Sequence, residues 1–146
     1  MNHRLFATLA IGGALVACHG EPFASSAAGG LTLSLALSRT ELQRGEPDTL
    51  TMTLTNTNDH PVSLSGGACE PRPYVADLRG VTVVPPGGDW LCILVLIRWQ
   101  LAAGEQVSRT FIWDTTPFAP GVYSAHATFS AEGVELATQP GAVRLN

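Results

Sequence analysis

Leu31, Leu33, Leu35 and Leu37 alternate with Thr32, Ser34, Ala36 and Ser38, and Leu50, Met52 and Leu54 alternate with Thr49, Thr51, Thr53 and Thr55. Successive side chains of an extended strand point to opposite faces, so each segment has one apolar face and one small polar face. A helix would scatter the same leucines around its circumference and bury none of them as a group. The β-branched threonines add to the bias, because they fit a pleated, wetted surface better than a helical turn. Two such segments so close together demand a sheet with one face turned to a core.

The rest of the chain is cut into similar pieces by turn residues. Asn56-Thr-Asn-Asp-His-Pro61 is a polar turn cluster, followed by a short strand over residues 62–64. Residues 74–78 and 81–84 flank Arg79-Gly80 as a hairpin, and Pro85-Pro86-Gly87-Gly88 is a loop. Residues 90–100 form the most apolar piece and are expected to be a strand. Gly104-Glu105 then turns the chain into a strand over residues 107–113. Pro117, Pro120 and Gly121 precede residues 122–130, and residues 134–136 and 142–145 read as the last strands. No segment carries a helical period of useful length. Seven to nine short antiparallel strands separated by turns imply an all-β sandwich. Leu42-Gln-Arg-Gly45-Glu46 and Leu101-Ala-Ala-Gly104-Glu105 share the pattern L-x-x-G-E just before a strand, and read as equivalent turns in which glycine supplies a positive φ.

The N-terminus carries a different signal. Met1-Asn2-His3-Arg4 is a short, positively charged start, and the apolar run that follows is too short to cross ~30 Å of hydrocarbon as a helix. It closes on Leu15-Val16-Ala17-Cys18, which resembles the lipobox of bacterial lipoproteins. The resemblance implies a signal peptide over residues 1–17, removed on maturation, and lipidation of Cys18. It places the chain in the bacterial cell envelope, anchored by acyl chains, since more than one chain is needed for stable anchoring. His19 follows the cysteine where an aspartate would imply retention at the inner membrane, so the resemblance points to the outer membrane. Residues 18–30 are rich in Ala, Ser and Gly, and are expected to be a flexible tether to a single domain over residues 31–146.

That domain has the size of one core. Charged residues make up only 14% of the chain, the formal net charge is −4 and basic blocks are absent, which excludes nucleic acid as an expected partner. No further segment is apolar for long enough to span a membrane as a helix. With Cys18 taken by lipid, Cys69 and Cys92 remain as a pair in an oxidising compartment. A bridge between them would contribute roughly 3 kcal/mol by restricting the unfolded chain. The alternatives are two buried free thiols, or a zinc site that neither a CxxC nor a nearby histidine supports.

The order Leu54-Thr-Asn56, Pro61-Val62, Tyr74-Val-Ala-Asp77-Leu-Arg-Gly80, Leu101-x-x-Gly104-Glu105, Phe111-x-Trp113 and Pro120-Gly121-x-Tyr123 resembles the BsuPI-type intracellular proteinase inhibitor family. The resemblance spans residues 50–129 and implies an immunoglobulin-like sandwich. It also implies protease inhibition as a candidate activity, expected to act through an exposed loop over residues 66–73 stiffened at Cys69. This chain departs from the family in its cysteine pair and in the apolar run between Trp90 and Trp99.

No catalytic centre is legible. His60 precedes a proline in a turn and His126 alternates outward with Ser124 and Thr128, so neither meets a nucleophile and a carboxylate in the way hydrolysis requires. Asn56, Asn58 and Asp59 offer only one carboxylate and no calcium-loop spacing. Nothing in the chain implies a cofactor. Tyr123, after Pro120-Gly121, fits a tyrosine corner, with Phe111, Trp113, Ala125, Ala127 and Phe129 filling the core. The apolar run has two apolar faces: either it is a central strand whose second face is covered by a loop, a neighbouring chain or lipid, or it is a partner site. If it is a strand with Cys92 facing the core, Leu94 and Leu96 lie inside and Ile93 and Val95 outside. Trp90, Ile93, Val95 and Trp99 then form a candidate partner surface. The expected function is a non-enzymatic protein-interaction module of the envelope, with an envelope or secreted protein as partner. Protease inhibition is the first alternative. Binding of envelope glycan is the second, resting on the three tryptophans.

Overall fold

A computed structural model of the chain describes residues 23–93 and 95–146. The expected signal peptide (residues 1–17) and Cys18 lie outside the described residues, as does Leu94. The strands are β1 (Phe23–Ala28), β2 (Leu31–Leu37), β3 (Glu41–Leu42), β4 (Asp48–Asn56), β5 (Val62–Gly67) and β6 (Arg72–Asp77). They continue as β7 (Thr82–Val84), β8 (Leu96–Leu101), β9 (Gln106–Trp113), β10 (Gly121–Ala131), β11 (Val134–Ala137) and β12 (Gly141–Leu145). One sheet has the order β1-β2-β4-β9; the other runs β3-β12-β10-β5-β8, with β11 and β6 also paired to β10 and β7 to β6. The fold is the expected all-β sandwich.

Its core follows from the alternation. Leu31, Leu33, Leu35, Leu50 and Leu54 are fully buried against Ala125, Ala127, Phe129 and Val143 of the opposite sheet. β2 and β4 pair in register from Leu31↔Asn56 to Leu37↔Leu50, so the two leucine faces lie side by side. A slip of one residue would turn every leucine to solvent, which is why this register is firmly specified.

The two L-x-x-G-E segments fold alike. Leu42 and Leu101 are each buried, and Gly45 and Gly104 adopt φ of 87° and 72°. In each, the glutamate side chain accepts the N–H two residues before the glycine, from Gln43 at 2.8 Å and from Ala102 at 2.6 Å. The Tyr123 hydroxyl donates to the carbonyl of Ala119 at 2.7 Å, closing the expected tyrosine corner.

Three expectations are corrected. There are twelve strands among the described residues rather than seven to nine. One of them, β1, occupies part of the expected tether: Phe23–Ala28 pairs antiparallel with β2. Alanine and serine give no apolar period, but the bare edge of β2 offers backbone partners that need no particular side chain. The third concerns residues 90–100, where strand β8 begins at Leu96 and runs to Leu101. Pairing with β5 sets Trp99 opposite Leu64 and Leu101 opposite Val62, so 97, 99 and 101 face inward and Leu96 is 78% exposed rather than inside. Cys92 lies in a loop, so its facing does not propagate along the strand.

Candidate docking surface

The loop of residues 85–95 joins β7 to β8 and is pinned at three points. Cys92 is bridged to Cys69, with the Cα atoms 5.9 Å apart. The indole Nε1 of Trp90 donates to the carbonyl of Pro73 at 2.9 Å, and its ring meets Phe111 edge-on at 5.3 Å. At the loop's end the N–H of Ala68 donates to the carbonyl of Val95 at 3.0 Å. Between these pins several apolar side chains are exposed: Leu91 fully, Ile93 at 72% and Val95 at 45%, and Leu96 continues the patch. A groove of about 460 Å³ lies beside it, lined by Cys69, Cys92, Ile93, Val95, Leu96 and the Glu70–Arg72 pair.

Ile93 and Val95 thus face solvent, Trp90 is half-buried as a plug, and Trp99 does not belong to the surface. Trp99 is 7% exposed, meets Phe129 edge-on at 5.8 Å and is covered by the Arg109 guanidinium at 5.3 Å. Its position in β8, two residues before buried Leu101, puts it on the inward face. Residues 66–73, the expected inhibitory loop, do not project either. Gly66 and Gly67 belong to β5, Arg72 and Pro73 to β6, and Glu70 and Pro71 are buried. Arg109 Nη1 reaches across from the other sheet to the carbonyl of Ala68 at 2.7 Å. The disulfide therefore steadies residues 85–95 against a packed segment. The sequence signal was present in the glycine-proline run 85–88, which marks a loop, but the apolar residues after it masked how far the loop extends.

Beneath the patch lies a buried carboxylate. Glu70 Oε1 sits 2.8 Å from Arg72 Nε, off the N–H direction, and Oε2 accepts the N–H of Ser130 at 3.2 Å. Burial pushes the Glu70 carboxyl above the usual carboxylate range, against the opposing pull of Arg72 and the Ser130 bond. A carboxyl that holds its proton more tightly when folded stabilises the fold fully below its unfolded value. That contribution is lost as pH rises through the raised folded value. The Tm of the wild type should therefore fall relative to that of Glu70→Gln as pH rises above 4.5, measured by thermal melts across the acid range. A difference that stays constant with pH would show that Glu70 is not titrated on folding.

Neither described histidine, His60 or His126, has a nucleophile and a carboxylate about it. His60 lies beside Asp59 at 2.9 Å on the surface, and His126 is stacked on Tyr74 with ring centres 5.2 Å apart. Among the described residues no three His, Cys, Asp or Glu side chains are grouped to hold a metal ion. In the asparagine cluster Asn56 Oδ1 accepts the N–H of Asn58 at 3.0 Å.

No protein-family model matches the chain, and no curated protein matches it. Among solved structures it is similar to part of a β-glucosidase from Listeria innocua in complex with gluconolactone, with a TM-score of 0.50, 19% identity, and coverage of 83% of this chain and 16% of that one. It is similar to part of a β-glucosidase from Erythrobacter marinus, with a TM-score of 0.51, 12% identity, and coverage of 83% and 16%. The C-terminal domain of Wzt gives a TM-score of 0.50 at 11% identity, covering 86% of this chain and 78% of that one. The chain thus spans only 16% of the length of these β-glucosidases, and at such identities the likeness is one of fold.

Proposed function

We propose that this chain is a non-enzymatic protein-interaction module of the bacterial envelope, anchored through a lipidated Cys18, and that the loop of residues 85–95 is its contact surface. The observation that supports this is the exposure of Leu91, Ile93, Val95 and Leu96 on a loop held by a disulfide and two hydrogen-bonded pins. Apolar side chains gathered on an ordered surface are a feature of binding sites more than of idle surface. Pinning reduces the conformational entropy lost on association, so more of the contact energy remains as affinity. A protein partner with an apolar recess fits this patch better than a glycan, because Trp99 and Trp113 are buried and offer no stacking platform.

A second reading is favoured by the pinning itself. Protease inhibition, which the family resemblance implies, also calls for a preorganised exposed segment, and residues 85–95 rather than 66–73 would supply it. The double variant Leu91→Asp/Ile93→Asp should reduce retention of a partner from envelope extract by about tenfold or more. Its Tm should stay within ~2 °C of the wild type, since neither side chain is buried. Retention unchanged by the double variant would reject the loop as the contact surface. A protease panel run on both proteins separates the two readings, because only inhibition predicts loss of activity of a defined protease.

A further inference from the structure

β9 closes one edge of its sheet, pairing with β4 and with no other strand among the described residues. The N–H of Asn56 donates to the carbonyl of Glu105 at 2.9 Å, and this bond sets the phase of the ladder. In an antiparallel ladder hydrogen-bonded pairs alternate with open ones. Val107, Arg109, Phe111 and Trp113 therefore turn their backbone groups to β4, whereas Gln106, Ser108, Thr110 and Ile112 turn theirs away. Natural sandwiches guard such an edge with outward charge, proline, a bulge or an inward-pointing charge, and on β9 the one charge is Arg109, facing inward. None of these four residues is charged or proline, and the β4–β9 register runs unbroken from Asp48↔Trp113 to Thr55↔Gln106.

Beside this edge the mouth of the sandwich is open. A cavity of about 140 Å³ lies between Met52, Arg109 and Phe111 of one sheet and Cys69, Pro73 and Trp90 of the other side. A space of ~150 Å³ holds a benzene-sized group. Arg109 lines the same mouth. Its guanidinium donates to the Ala68 carbonyl and covers Trp99, but none of the ion pairs among the described residues involves it.

We propose that the β9 edge takes an added antiparallel strand: an extended segment of a partner polypeptide with an apolar side chain beside Phe111 and a carboxylate beside Arg109. The free N–H and carbonyl groups require an extended backbone, the cavity takes one apolar side chain, and the uncompensated Arg109 charge selects an acid. Phe111 and Arg109 are two residues apart on one face, so the segment reads apolar-x-acidic in the direction antiparallel to β9. The inference rests on the reading of the chain as a protein-interaction module, and it uses a surface separate from the exposed tip at Leu91 and Ile93.

The probe is the capped peptide Thr-Thr-Leu-Thr-Glu-Thr-Thr, titrated into the full chain by calorimetry. Its reversed-order counterpart (Glu-Thr-Leu at the centre) and a form with alternate amides N-methylated are the controls. The Leu-Thr-Glu peptide should bind at least about tenfold more tightly than either control. Thr110→Pro should weaken it by a similar factor while leaving the fold intact, since the Thr110 N–H points away from β4 and edge strands accept proline there. Arg109→Gln, which keeps a donor for Ala68, should abolish the preference for Glu over Gln in the peptide. The Leu91→Asp/Ile93→Asp variant should bind the peptide as the wild type does. Equal binding of the N-methylated peptide, no heat at millimolar peptide, or loss of binding in the tip variant would each overturn the proposal. So would a concentration-dependent dimer dissolved by Thr110→Pro, which would make a second copy the occupant. The N-methylated control needs no variant, so the proposal can fail even if Thr110→Pro does not fold.

Discussion

Trp113→Ala should lower the free energy of unfolding by about 3–5 kcal/mol, the range seen when a large aromatic is removed from a packed core. Trp113 is almost completely buried at the end of β9, where it meets Tyr123 at 5.6 Å and Phe118 at 5.9 Å. Tyr123 is held from behind by its bond to Ala119, so the site has little freedom to collapse into the space left. Against a typical stability of ~5–15 kcal/mol, such a loss leaves the domain marginal or unfolded. The indole Nε1 has no hydrogen-bond partner among the described residues. The side chain therefore contributes through packing alone, and Trp113→Phe should cost much less than Trp113→Ala. Urea unfolding of both variants checks the claim. A loss below ~1 kcal/mol for the alanine variant would mean that the corner repacks.

Asn56→Ala should cost about 3 kcal/mol, from lost hydrogen bonds rather than lost volume. Asn56 is fully buried where β4 ends, and its Nδ2 donates to the carbonyls of His60 at 2.9 Å, Leu101 at 3.2 Å and Ala102 at 2.9 Å. Two N–H groups thus serve three acceptors that tie the 57–61 turn to the turn between β8 and β9. Oδ1 faces the opposite way, toward Asn58. Alanine would leave buried carbonyls without donors. Asn56→Asp should be worse, because it sets an oxygen against them and buries a charge. Asn58→Ala should be milder, since Asn58 is partly exposed and bonds Gly29 and Gly30 at 3.3 and 3.2 Å. Equal melting temperatures for the Asn56 and Asn58 alanine variants would show that burial does not set the cost.

The sequence by itself determined the elements whose chemistry is local. Apolar residues at every second position, leucines in β2 and Leu50, Met52 and Leu54 in β4, decide which face of each strand is buried and exclude a slip of one residue. The two L-x-x-G-E turns, the hairpin at Arg79-Gly80 and the tyrosine corner are equally local, because each depends on residues at most a few positions apart. The pairing of Cys69 with Cys92 was legible because few partners were available.

The candidate surface was only half legible. Its apolar character lies in the residues, but a run apolar at every position has no phase, so nothing in it says which side chains are covered. Only the β5–β8 ladder, with Trp99 opposite Leu64, turned Trp99 into the core and Leu96 out of it. Only the Cys69–Cys92 bridge, the Ala68–Val95 bond and Trp90, lodged between Pro73 and Phe111, made the residues between β7 and β8 a pinned loop. β1 was hidden for a related reason: its pairing with β2 is carried by backbone groups that every residue has. The open edge of β9 and the mouth beside it are likewise decided by which strand has no neighbour among the described residues. That is a property of the whole sheet, and no window of the sequence contains it.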